Sequence, residues 1–169
     1  GKAAILYGGQ IAMNCRFIFK LLCVFVPLVS ALRLDAVTLN WKGATTGSWF
    51  TASNWVEGSA PTNGGEDVFI TNSGARVTLS NSTALLGSLV IGNSGSYSNL
   101  LIFTNWTTSL KTTSLVIRAK GVLGCTGPFA DNAMSNRVHV VCTNLAIEAG
   151  GAIDVSISGY KGGVNNGPG

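Results

Sequence analysis

One phrase recurs along this chain of 169 residues: Ser88-Leu89-Val90-Ile91 with Gly95, Ser114-Leu115-Val116-Ile117 with Gly121, and Asn144-Leu145-Ala146-Ile147 with Gly150. The leucines stand 26 and 30 residues apart. Periods of about 20 to 50 residues mark solenoids and related arrays, whose units bury their apolar faces only against their neighbours. Residues two apart on a strand point to the same side, so each Leu-x-Ile pair is expected to face an interior. The glycines then serve bends, where positive φ strains other residues.

The rest of the chain agrees with short strands. Apolar residues at helical spacing are hard to find after residue 36, whereas alternation is easy. Strand candidates are 68–70, 77–79, 89–91, 101–103, 115–117, 138–140, 145–147 and 153–155, separated by turn-rich stretches such as Gly92-Asn93-Ser94-Gly95. Only 11% of residues are charged, against about 25% in ordinary domains. Small polar residues fill the deficit, which suits strands and turns better than surface helices. An all-β parallel solenoid is therefore expected. A β-sandwich is the alternative, since it too spaces short strands regularly.

The net charge of +4 is unevenly placed. Residues 1–36 hold Lys2, Arg16, Lys20 and Arg33 against Asp35. Beyond them Lys42, Arg76, Lys111, Arg118, Lys120, Arg137 and Lys161 are thinly spread among six acidic residues. A phosphate-binding surface needs clustered cations, so nucleic acid is not an expected partner. From Met13, cationic Arg16 and Lys20 precede the uncharged stretch 21–32. That length suits a signal-peptide core and falls short of the roughly 20 residues of a membrane-spanning helix. Residues 13–36 are read as a signal peptide cleaved after Ala31 or Ala36, with a buried core helix as the alternative. Residues 1–12 are read as an upstream extension. The expected destination is the cell exterior or surface, without a permanent membrane span.

Removing that leader leaves Cys125 and Cys142. In an exported chain they could form one disulfide, contributing roughly 3 kcal/mol in the chain-entropy model, or remain two buried thiols. Neither belongs to a Cys-x-x-Cys pair, so the cysteines give no support for a metal site.

Between Asn40 and Ile70 the chain reads NWKGATTGSWFTASNWVEGSAPTNGGEDVFI. Trp41, Gly43, Gly47, Trp49, Asn54, Trp55, Gly58, Pro61, Asp67, Val68 and Ile70 resemble the opening of bacterial surface proteins of the autotransporter-associated β-strand repeat kind. The later GSLVIGNSG, TSLVIRAKG and NLAIEAGGAIDVS stretches resemble the first rungs of the right-handed parallel β-helix that follows in such proteins. Residues 61–91 are also similar to the G8 type of all-β module. The resemblance implies a tryptophan-rich N-terminal cap over residues 37–72, solenoid rungs over 73–158 and a glycine-rich loop over 159–169, within a longer protein. It implies an architecture and no activity.

Candidate chemistry is sparse. Trp41, Trp49 and Trp55 could stack on sugar rings, or they could cap the solenoid's open end, where one buried aromatic is worth roughly 4 to 6 kcal/mol. His139, the one histidine, is expected to be a surface imidazole, and no Ser-His-Asp grouping is evident. Glu66, Asp67, Asp131, Glu148 and Asp154 could serve as acids, bases or calcium ligands, as in β-helix polysaccharide lyases and hydrolases; ordinary solvated charges are the expectation. Calcium at residues 63–67 has oxygen donors but no EF-hand spacing. The glycosylation triplets at Asn81 and Asn105 are assigned no role.

The expected function is an exported structural or adhesin-like scaffold, not an enzyme, needing no cofactor and meeting surface glycans or other cell-surface proteins. The alternatives are the non-catalytic N-terminal part of a polysaccharide-active β-helix enzyme and a carbohydrate-binding sandwich.

Overall fold

The computed structural model describes residues 36–43, 45–129, 136–156 and 158–159. The leader and upstream readings on residues 1–35, Asp131 and the glycine-rich stretch beyond Gly159 lie outside the described residues.

Among the described residues ten short strands follow one another: β1 (Thr38–Asn40), β2 (Thr46–Ser48), β3 (Asp67–Ile70), β4 (Arg76–Leu79), β5 (Leu86–Ile91), β6 (Asn99–Phe103), β7 (Leu110–Ile117), β8 (Gly121–Cys125), β9 (Val140–Ile147) and β10 (Ala152–Ile153). Odd-numbered strands form one five-stranded sheet and even-numbered strands the other, each in chain order. Every strand pairing among the described residues is parallel. Two strands therefore make one coil, and the chain winds as a right-handed parallel β-solenoid. The sandwich alternative gives way, because strands consecutive in sequence lie in different sheets and not side by side. β1 and β2, inside the tryptophan-rich segment, already form the first coil of these sheets.

Register explains the repeated phrase. Leu39, Val68, Leu89, Leu115 and Leu145 are successive partners in one column. Ile70, Ile91, Ile117 and Ile147 form a second. On the other sheet Val77, Leu101, Leu123 and Ile153 form a third, and Leu79, Phe103 and Cys125 a fourth. These aliphatic and aromatic residues are 0 to 1% exposed through the fourth coil. Each such aliphatic side chain contributes about 1.5–3 kcal/mol relative to exposure.

The corners show what the glycines do. Gly150 has φ +82°, as a bend requires. One coil earlier its positional equivalent is Lys120, which takes the left-handed conformation at φ +62°. Gly121 is required for a different reason: a Cβ there would run into the Ile91 carbonyl oxygen, as one on Gly151 would meet that of Ile117 at 2.5 Å. Asparagine amides donate to carbonyls at the corners, including that of Ile70, which also accepts from the Gly92 backbone. Asn72 donates to the Trp41 carbonyl, Asn93 to that of Thr71 and the fully buried Asn99 to that of Ile70 (2.6 Å).

Candidate functional site

The two ends of the coil are built differently. At the first, Trp41 directly follows β1 and Trp49 directly follows β2, each continuing an inward column. A 3₁₀ turn at Ala52–Asn54 then brings the chain back so that Trp55 bridges to Trp41. The Trp55 ring stands edge-on to Trp41 (centroids 5.1 Å apart, planes at 88°) and to Trp49 (5.2 Å, 76°). This arrangement suits the ring quadrupoles. All three indole N–H groups donate to carbonyls: Trp41 to Thr45, Trp49 to Pro61 and Trp55 to Trp49. The Asn54 amide donates to the Ser48 carbonyl (2.9 Å), lying so close to Gly47 that no side chain fits there. Trp41, Trp49 and Trp55 are 0, 0 and 1% exposed, so none presents a ring face on which a sugar could stack.

Among the described residues the carboxylates singled out from sequence, Glu66, Asp67, Glu148 and Asp154, do not converge. Glu66, 4% exposed, accepts from the Asn63 backbone and side-chain amides at 3.2 and 3.3 Å. Asp67 accepts from the Ser88 hydroxyl at 2.6 Å. Residues 63–67 thus direct their two carboxylates to different partners. Glu148 lies 4.0 Å from Arg118 on the surface. Asp154 is held below the usual carboxylate range by the Ser156 side chain and backbone, whose N–H donates at 2.8 Å. His139 immediately precedes β9 and is half-buried. Among the described residues no group of three His, Cys, Asp or Glu could hold a metal ion. No helix there is long and apolar enough to cross a membrane. Cys125 and Cys142 are free, half-buried thiols on β8 and β9, hence on different sheets.

Sequence reasoning missed three features. Glu57 is clamped by Asn40, whose backbone and side-chain amides donate to its two oxygens at 2.8 Å each. Burial acts to raise that carboxyl, but the Asn40 donors outweigh it and leave the pKa lowered. The fourth tryptophan, Trp106, is 42% exposed, and Arg137 lies over its ring at 4.5 Å while donating through Nε to its carbonyl. Third, the fifth coil opens into a cavity of about 520 Å³ bordered by Cys125, Asn136, Val138, Val140, Ile153 and Val155. No local signal marks the Asn40–Glu57 clamp; the lone tryptophan outside the 41–55 cluster was the available signal for the second.

Fold and ends together define the class: a right-handed parallel β-solenoid closed at its first coil by a buried tryptophan cluster. Against family models, curated proteins and solved structures, the chain matches none.

Proposed function

We propose that this chain is an exported structural scaffold of the bacterial cell surface, a rigid stalk or adhesive rod of the autotransporter-associated repeat kind. The observation that carries the reading is the interior. Leu, Ile, Val and Phe columns run through the coils, and the described carboxylates Glu66, Asp67, Glu148 and Asp154 each engage a separate local partner. Such a body supplies length and stiffness, and contacts with glycans or surface proteins would come from its outward loops. The cationic and apolar sequence of residues 13–36 supports export. Among the described residues the first backbone bond into the sheet is made by the Val37 carbonyl, accepting from Asp67, so a cut after Ala36 would leave that bond in place.

Expression from Met13 in a Gram-negative host, followed by fractionation and N-terminal sequencing, tests this reading. A protease-accessible surface or extracellular product beginning at Leu32 or Val37 is expected. An unprocessed chain retained in the cytoplasm would refute it.

A further inference from the structure

The loop that leads from the tryptophan cluster into β3 holds the one asparagine followed by glycine among the described residues, Asn63-Gly64. Asn63 is exposed, whereas Glu66 is buried and has the two Asn63 amides as its donors. Those bonds are 3.2 and 3.3 Å long, at the far end of the hydrogen-bonding range. Gly64 has φ +85°, and a Cβ there would stand 3.3 Å from the Leu85 carbonyl oxygen, so the turn favours glycine at this position. Its backbone N–H donates to nothing among the described residues. The near end of the loop holds the first coil closed, since the Pro61 carbonyl accepts the Trp49 indole N–H at 3.3 Å. The far end is fixed in the sheet, where the Glu66 carbonyl accepts from the Gly87 backbone at 2.9 Å.

We propose that Asn63 is a site of spontaneous deamidation and that the modification unlatches this loop from the tryptophan cluster. The Gly64 backbone nitrogen, giving its proton to solvent, bonds to the Asn63 side-chain carbonyl carbon; the Cγ–Nδ2 bond breaks and the amide nitrogen takes up a proton and leaves as ammonia. Water then opens the cyclic imide at one carbonyl or the other, giving aspartate or isoaspartate at position 63. Water is the only co-reactant, and nothing is oxidised or reduced. Glycine matters because a side chain at position 64 would crowd the attacking nitrogen. Asn81 is exposed too, but Ser82 follows it; Asn72 and Asn93, also followed by serine, have their amides engaged by the Trp41 and Thr71 carbonyls. Either product puts a carboxylate where a donor stood. Glu66 loses the Nδ2 partner and faces negative charge instead, a repulsion that its burial strengthens. Isoaspartate also routes the main chain through Cβ and Cγ, displacing the Asn63 N–H that makes the second bond. With both bonds to Glu66 weakened, the Pro61 carbonyl loses the tie that holds it over Trp49. None of this rests on the scaffold reading or on export.

The purified chain and a synthetic peptide copying residues 58–70 are held side by side in warm, mildly alkaline buffer, and Asn63 is followed by peptide-mapping mass spectrometry that separates aspartate from isoaspartate. Conversion in the folded chain is expected at a rate no more than about tenfold below the peptide's, the effect of breaking one long hydrogen bond. Asn81 should stay unchanged over the same time. The aged chain and Asn63→Asp should both melt about 4 °C or more below the fresh parent, with red-shifted tryptophan emission. Glu66→Gln placed in the Asn63→Asp chain should recover most of that loss, which a merely looser loop would not allow. The proposal is overturned if Asn63 stays intact over the time in which the peptide converts, if Asn81 converts as fast as Asn63, if the aged chain and Asn63→Asp melt with the fresh parent, or if Glu66→Gln recovers nothing.

Discussion

Leu89 and Leu145 share one column, but among the described residues Leu89 has a coil on either side and Leu145 has one only on the β7 side. Truncating each to alanine therefore measures what coil-on-coil stacking is worth. Leu89 is 0% exposed, and such leucines lose about 3–5 kcal/mol on truncation, because the vacated volume stays enclosed. Leu145 is 50% exposed, so Leu145→Ala forfeits about half of a burial term of roughly 1.5–3 kcal/mol and leaves no closed cavity, a loss near 1 kcal/mol. Urea titration followed by far-UV circular dichroism and tryptophan fluorescence reads both. With slopes of about 1–3 kcal/mol/M, Leu89→Ala should lower the midpoint by more than about 1 M and Leu145→Ala by about a third as much. The fluorescence arises mainly at the opposite end, so a shift there on Leu89→Ala also shows that the coils melt together. Equal losses at the two positions would refute the reasoning.

Trp55→Ala should cost about 3–5 kcal/mol in the same titration, since the ring closes the first coil, whereas Trp106→Ala should stay within about 1 kcal/mol. Lys120→Gly should stabilise the protein by about 1 kcal/mol in thermal melts, because the lysine holds a left-handed φ that glycine takes freely; an unchanged or lower melting temperature would count against that corner. The lowered Glu57 carboxyl has a definite sign: its stabilisation is present above the ordinary carboxylate pKa and is lost as the pH falls through the lower folded value. Glu57→Gln should therefore flatten the acid limb of a stability-against-pH curve while changing least at the lowest pH.

The architecture was legible where one short-range rule sets the structure. Leu89, Leu115 and Leu145 with their isoleucines mark β5, β7 and β9, because an inward pair two residues apart is a local pattern. Val68-x-Ile70 belongs to the same columns but carries valine where the repeated phrase has leucine, so the phrase does not recur there. β2 reads Thr-Gly-Ser and has no strand signature of its own; its pairing with β4 comes from the tertiary winding. β8 was masked by Gly121, whose role is close approach to a neighbouring carbonyl and which looks like a turn when read alone. The capping role weighed for Trp41, Trp49 and Trp55 was visible in their clustering, but whether the rings face inward depends on Trp55 folding back across the coil. The open face of the fifth coil could not be read locally, since Leu145 and Leu115 sit in the same phrase and differ only in what lies above them.

The most direct test of the account is a set of methyl–methyl nuclear Overhauser contacts in protein labelled at leucine and isoleucine. Contacts Leu89–Leu115, Leu115–Leu145, Ile91–Ile117 and Ile117–Ile147 are predicted together, without close Hα–Hα contacts between β5, β7 and β9, because parallel strands do not bring those protons together. Loss of the column contacts, with strong Hα–Hα contacts between neighbouring strands, would mean antiparallel sheets and would contradict the solenoid.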